Sequence, residues 1–260
     1  MMFSQNELKM IAKVSSEKIT DVREGREFFE VPFKHLVIDN FFPKEVADLC
    51  IENFPVLSDD SWDYTHNDDI EVKYRTKWQS EFDIPIGIVD VVRVMNSSLF
   101  LKAMTVAFGI PKIIPDPYFS GGGLNATSRS GLLDVHVDGN YHDATGLNRR
   151  INALLYLNPN WEEGWGGEFG LFDGDGDNCL KKIAPLHNRL VIFETHDKSF
   201  HGLPDPINFP EHDPRKSIIM YYYTKDSRPS EVVSVKAPHS ALWKKQGFLD
   251  KLGNQTRDFD

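Results

Sequence analysis

The chain has 260 residues, of which 40% are hydrophobic and 12% aromatic, enough apolar material for a packed core and too much for a disordered protein. A formal net charge of -10 weighs against a general nucleic-acid binder, which needs a basic stripe to neutralise phosphates. There is no apolar run of signal-peptide length and none of the roughly 20 residues a membrane span needs, so a soluble, cytoplasmic protein with no membrane partner is expected.

The first 30 residues are polar and weakly patterned, with an amphipathic helix expected over Glu7 to Val14. VPFKHLVIDNFF reads as a strand, and a helix should open near Pro43 because proline suits a first helical turn. In that helix Val46, Leu49, Cys50 and Phe54 recur every three to four residues, which buries one face. Asp59 to Thr76 is acidic and turn-rich and reads as a loop, a candidate mobile one. From Ile84 to Ile110 apolar residues at helical spacing, broken at Asn96, Ser97 and Ser98, predict two consecutive helices against a sheet.

After the Pro- and Gly-rich segment IPDPYFSGGGLNATSRSG the texture becomes β. Strands are expected at Leu132–Asp138, Ile151–Leu157, Glu168–Phe172, Leu180–Ile183, Arg189–Glu194, Ser199–Leu203 and Lys216–Thr224. Short strands divided by Gly, Asp, Asn and Pro clusters point to a jelly-roll or barrel, a mainly β fold with supporting α-helices. A charged tail follows from residue 227, with ALWKKQGFLDKL as a short terminal helix. One domain is the simplest organisation: 1–115 as N-terminal support, 116–226 as the β core and 227–260 as the tail. Cys50 and Cys179 fall in different parts of this scheme and read as reduced thiols.

The chemistry concentrates in GLLDVHVDGN. On a strand His136 and Asp138 point to the same side, and such a pair plus one distant histidine is the 2-His-1-carboxylate set that holds Fe(II) with positions left open. A His-x-Asp pair also arises by accident, as with His66 and Asp68 in an acidic stretch, where a solvated loop is the better reading. His136 and Asp138, by contrast, alternate with Leu133, Val135 and Val137. VIFETHDKSFHGLPD offers His196 and His201 as the third ligand. His196 stands in a turn beside Asp197 and Lys198, so His201 is preferred, against the alternative of a hydrogen-bonded core histidine. His35, His142, His187, His212 and His239 read as surface residues or supports behind the site.

Arg215, Ser217, Ile219 and Tyr221 share one face of a later strand. An arginine and a hydroxyl two residues apart can grip a carboxylate, which suits a dicarboxylate co-substrate; the competing reading pairs Arg215 with Glu211 or Asp213. Asn152, Leu154 and Tyr156 share a face of INALLYLN, so Asn152 and Tyr156 join the candidate co-substrate residues, with core packing an equal alternative for the tyrosine. DGDGDN at 173–178 lacks the turn glycine and terminal glutamate of a calcium loop and reads as an acidic hairpin turn. The glycines at 121–123 have no phosphate-loop lysine after them.

Taken in order, HVDGN, RRINALLYLNPNW, GWGGEFGLF, NRLVIFET, SFHGLPD and PRKSIIMYYYT resemble the Fe(II)/2-oxoglutarate-dependent dioxygenases, in their prolyl 4-hydroxylase-like branch, over about residues 117 to 225. The resemblance implies a double-stranded β-helix, a cupin-like jelly-roll. It also implies iron on His136, Asp138 and His201, with the distal carboxylate of 2-oxoglutarate on Arg215 and Ser217, assisted by Tyr156. The chain departs from the relatives near Asn125 and Ala126, where they carry a co-substrate tyrosine, and in its longer proline-rich stretch from His201 to Arg215.

The implied activity consumes O2 and 2-oxoglutarate, releases succinate and CO2, and hydroxylates an unactivated C–H bond. The carboxylate of Asp138 favours hydroxylation over halogenation, which needs room for a halide. The expected substrate is a prolyl residue of a peptide or protein, with small metabolites and saccharides as alternatives. Two other classes compete: a non-catalytic jelly-roll that binds metal or sugar, and a zinc hydrolase using Glu168 or Glu194 as base.

Overall fold

Two apolar periods alternate along the chain, and they sort it into a helical layer and two sheets. The computed structural model describes residues 2–22, 27–203, 205 and 207–245. Helices are α1 (Gln5–Asp21), α2 (Lys44–Glu52), α3 (Val89–Met95) and α4 (Ser98–Phe108). The first strands are β1 (Phe28–Phe29), β2 (His35–Ile38), β3 (Trp62–Asn67), β4 (Glu71–Thr76), β5 (Ile114–Pro115), β6 (Gly123–Thr127) and β7 (Leu132–Leu133). They are followed by β8 (His136–Val137), β9 (Asn148–Tyr156), β10 (Phe169–Phe172), β11 (Cys179–Ile183), β12 (Arg189–Glu194), β13 (His201–Gly202), β14 (Arg215–Thr224) and β15 (Leu242–Trp243).

A 10-stranded sheet runs β1-β2-β12-β9-β14-β6-β4-β3, with β5 on β14 and β7 on β4, and a 5-stranded sheet runs β11-β10-β13-β8-β15. All pairings are antiparallel. This is the double-stranded β-helix that the strand order implies.

The large sheet is apolar on both faces, for different reasons. Ile151, Ala153 and Leu155 of β9, Ile218, Met220 and Tyr222 of β14, and Leu190 and Ile192 of β12 face α1, α3 and α4 in one core. Each Leu or Ile buried there contributes roughly 1.5–3 kcal/mol. The alternate residues Leu154, Tyr156, Val191 and Phe193 turn inward onto Phe169, Leu171 and Ile183 of the small sheet. The functional residues of β9 and β14 sit on that inner face.

Two of the helices begin where side chains satisfy free backbone N–H groups. Ser4 and Glu7 form a capping box for α1, and Ser97 caps α4. Helix α1 extends well past the expected Glu7–Val14, because Ser15, Ser16 and Ile19 continue its buried stripe. The two helices expected between Ile84 and Ile110 are present as α3 and α4, and α2 opens after Pro43. Among the described residues no single helix is long and apolar enough to cross a membrane.

Four expectations are corrected. Asp59 to Thr76 is not a loop: β3 and β4 pair along their length, with Tyr64 opposite Tyr74 and the rings stacked at 4.5 Å. Exposed polar positions on both strands mask the alternation. Gly123–Thr127, hidden in a Gly- and Ser-rich segment, forms β6, buried throughout, with Leu124 and Ala126 in the core under the helices and Asn125 opposite Ser217. ALWKKQGFLDKL begins as β15, paired to β8, and not as a helix; its remainder from residue 246 lies outside the described residues. The expected strand Leu132–Asp138 is also split into β7 and β8 around Asp134, whose N–H bonds Ile70 O.

After β14 the chain returns as a strap over the small sheet. Its anchor is Asp197, 1% exposed, whose carboxylate accepts bonds from Arg228 Nη1 at 2.8 Å, from the N–H of Ser234 at 2.7 Å and from the N–H of Val235 at 2.9 Å, with His239 Nε2 at 3.3 Å. Removing one member of a buried ion pair strands the other, at a cost of about 3–5 kcal/mol. Asp197→Ala is therefore expected to lose about that much stability, with Arg228 left uncompensated; urea unfolding measures it, and a loss within error would contradict the anchoring.

Phe33 lies edge-on to His35 and to His196. Burial pushes both histidines down to about 4. Unfolded, they take protons near pH 6.5, so between about pH 6.5 and 4 the unfolded chain binds more protons and stability falls as pH falls, by up to about 1.4 kcal/mol per pH unit for each. Unfolding of the metal-free protein at pH 7.5 and 5.5 should show this slope, and His35→Gln should reduce it.

Candidate metal centre

The small sheet brings two distant histidines face to face. His201 of β13 is the direct cross-strand partner of His136 of β8, and Asp138 follows β8 by one residue. Their rings are 4.4 Å apart. Asp138 Oδ1 is 3.8 Å from His136 Nε2, and Oδ2 is 3.5 Å from His201 Nε2. One ligand atom from each of the three falls within 4.8 Å of the others, and all three residues are buried.

Each imidazole is fixed in the state a metal requires. His136 Nδ1–H donates to Asp134 O at 2.8 Å and His201 Nδ1–H to Ser199 O at 2.9 Å, so both Nε2 lone pairs point into the gap. Burial, helped by the neighbouring His201, pushes His136 down to about 3 and keeps it neutral. Burial would raise Asp138, but His201, Arg149, His136 and the Asn152 amide together outweigh it and hold the carboxyl down to about 2. Two imidazole nitrogens and one carboxylate oxygen turned to a common point fit Fe(II).

Asn152 does not turn toward Arg215. Its Nδ2 donates to Asp138 Oδ2 at 2.5 Å, and its Oδ1 is buried without a partner. It acts as a brace for the carboxylate. Removing such outer contacts typically costs 10–100-fold in metal affinity. Asn152→Ala is expected to weaken Co(II) binding by roughly tenfold or more, and Asp138→Ala to weaken it further; titration of the metal-free protein checks both.

Deeper in the barrel, β14 places Ser217 between Asn125 of β6 and Tyr156 of β9 in one cross-strand row. The Ser217 hydroxyl and the Tyr156 phenol are buried with no partner. The Arg215 guanidinium carbon lies 4.9 Å from the Tyr156 ring centroid, and its Nε donates to Gly167 O at 2.7 Å. Burial raises the phenol against the pull of Arg215, so it remains a donor. A buried cation beside two unsatisfied hydroxyls fits a carboxylate. The surface ion pair weighed for Arg215 is absent: Asp213 pairs with Lys216 instead.

Other histidines and acids take other places. His66 and Asp68 pair in the open at the β3–β4 turn. His35, His142 and His239 are buried, so a surface location fails for them because each has an internal partner: Phe33 O, Asp116 and Asp197 respectively. Asp173 to Asn178 closes the β10–β11 hairpin, with Asp173 accepting from Asp177 N and Asn178 Nδ2. Glu194 is tied to Arg150, and neither it nor Glu168 lines the cleft in front of His136 and Asp138.

That cleft, about 500 Å³, is lined by residues single-strand reasoning did not select: Lys73 and Arg75 of β4, Arg149 of β9, Tyr221 and Tyr223 of β14, and Trp243 of β15. The Trp243 ring lies 4.4 Å from that of His136. The IMYYY run was the one visible signal, since aromatic residues with polar tips suit a wet wall.

Residues 122–223, which include the candidate ligand trio and the Arg215–Ser217–Tyr156 pocket, match the family model of the 2OG-Fe(II) oxygenase superfamily. This stretch of the chain is similar to that superfamily, whose members use Fe(II), 2-oxoglutarate and O2. It is 35% identical over 86 residues to the mouse prolyl 3-hydroxylase OGFOD1, covering 32% of this chain and 15% of that protein. It is 32% identical over 71 residues to the Xenopus laevis prolyl 3-hydroxylase OGFOD1, covering 26% and 14%. The chain thus spans about a seventh of the curated relatives it matches.

Solved structures show the same fold. A Trichoplax adhaerens prolyl hydroxylase in complex with a hypoxia inducible factor peptide fragment matches with a TM-score of 0.55 and 16% identity, over 85% of this chain and 94% of that one. A Pseudomonas putida prolyl-4-hydroxylase matches with a TM-score of 0.55 and 16% identity, over 83% and 100%.

Proposed function

We propose that the protein is a 2-oxoglutarate-dependent Fe(II) dioxygenase that hydroxylates an unactivated C–H bond, with release of succinate and CO2. The observation that carries this reading is the coexistence, between the two sheets, of the His136–Asp138–His201 trio and a pocket in which Arg215 stands beside the unsatisfied hydroxyls of Ser217 and Tyr156. A metal-binding or sugar-binding jelly-roll has no use for a buried carboxylate pocket next to its metal ligands. The hydrolase reading lacks its base, because Glu168 and Glu194 stand outside the cleft.

His136, Asp138 and His201 would hold Fe(II), which supplies oxidative decarboxylation of 2-oxoglutarate with O2 and the coupled C–H hydroxylation. The chain's own residues bind and orient. Asn152 holds Asp138 in place. Gly167, at φ +77, keeps Arg215 extended along the pocket; a Cβ there would come within 2.9 Å of the Arg215 side chain and of the Phe209 ring. Arg215, Ser217 and Tyr156 take the distal carboxylate of the co-substrate, and Phe169, Phe193 and Leu154 keep the pocket dry.

The curated relatives are prolyl 3-hydroxylases, which supports a peptide or protein prolyl substrate as the class to test first. Protein mixed anaerobically with Fe(II) and 2-oxoglutarate should show the weak visible charge-transfer band of the bidentate complex. No band, with no succinate formed under O2, would sink the reading. Arg215→Ala should raise the 2-oxoglutarate dissociation constant at least tenfold, the loss of one or more charge-assisted bonds, while Co(II) binding persists. His201→Ala should lose both.

A further inference from the structure

The cleft in front of the candidate metal-ligating trio holds a buried positive charge whose one counter-charge among the described residues has another task. Arg149 lies with its guanidinium carbon 3.9 Å over the Tyr221 ring, its Nη2 3.3 Å from the Tyr223 hydroxyl and its Nη1 3.5 Å from Asp138 Oδ1. Its side chain is 12% exposed, and its Nε is buried with no partner. Among the described residues Asp138 is the one carboxylate in ion-pair range of it. If Asp138 serves a dication, Arg149 is left undercompensated in a poorly hydrated place, which a protein tolerates only when a ligand brings the missing charge.

A second guanidinium lines the same cleft near that ring. Arg75 of β4 sits beside Asn125 in register, and its ion pair with Asp63 is long, 3.7 Å, and open to water, so it is weakly held. Gly121, at φ +85, leaves the approach bare: a Cβ there would stand 3.3 Å from the Tyr221 ring edge and 3.6 Å from Arg75 Nη1. The Tyr221 phenol, pushed up to about 12 by burial, stays protonated and can donate. Lys73 adds little, because Glu71 neutralises it at 2.7 Å. The cleft lining as a whole balances Lys73, Arg75 and Arg149 against Glu71, Asp138 and Asp143, so the excess positive charge is local to the space beside Tyr221, between Arg149 and Arg75.

We propose that the space against Tyr221, between Arg149 and Arg75, receives a carboxylate of the primary substrate, so that the enzyme acts on a small carboxylic acid such as an acylated amino acid or a peptide end. Two planar guanidiniums and a phenol match a carboxylate in shape and charge. The inference rests on the proposed oxygenase function and narrows its substrate class.

The test is titration of the anaerobic Fe(II)·2-oxoglutarate protein with the common N-acetyl L-amino acids and with their amides, read as perturbation of the visible band. At least one acid should bind about tenfold or more tightly than its amide. In Arg75→Gln that preference should collapse, Arg75→Lys should restore part of it, and 2-oxoglutarate binding read from the same band should be retained. Equal binding of acids and amides, no binding by any acid, tighter binding of inorganic phosphate, or an intact preference in Arg75→Gln would each overturn the proposal. Failure of the band to form at all would strike the oxygenase reading instead.

Discussion

The site depends on one pairing, that of His201 with His136 across the small sheet. Strands β8 and β13 are two residues each, too short to hold a register alone. Neighbours hold it: Leu171 of β10 pairs with His201 on one side, and Trp243 of β15 pairs with His136 on the other. Because strand side chains alternate, a slip of one residue would turn a histidine away from the gap. The backbone carbonyls of Asp134 and Ser199 then set the imidazole tautomers. The orientation of the two candidate histidine ligands is thus set by backbone hydrogen bonds.

The large sheet solves a different problem. Its outer face is wholly apolar under the helices, so its strands cannot turn over, and the inner polar residues of β9 and β14 are held where burial would otherwise expel them. Ser217 and Tyr156 carry unsatisfied hydroxyls in that position, a destabilising arrangement offset by the packing on both sides. A rigid scaffold tolerates such groups, and a ligand benefits from them because they need no rearrangement to bind.

Much of the β core was legible because its strands carry a period and its turns carry Gly, Pro, Asp and Asn; Arg189–Glu194 appears with the expected bounds. The candidate trio was legible because His136 and Asp138 lie two apart on one strand, and His201 follows a second strand. What alternation could not show was contact between distant edges. Arg75 and Lys73 stand on a hairpin that looked like a loop, and Trp243 on a tail that looked helical. Asn152 shared a face with Tyr156 as expected, yet the strand's length carries it to Asp138. The strand β6 stayed hidden because its short alternation, Leu124 to Thr127, lies between turn-forming Gly and Ser residues.

The strap that ends at Trp243 has a consequence for the order of assembly. Elements of the cleft come from residue 71 through residue 243, and the last of them pairs with the strand that carries His136. A nascent chain that has already folded both sheets up to β14 still lacks one wall of the metal centre and the partner of its shortest ligand strand. The centre is therefore closed last, by a segment tied down through Asp197 and Asn140, and metal loaded before that point would meet an open, solvent-filled site.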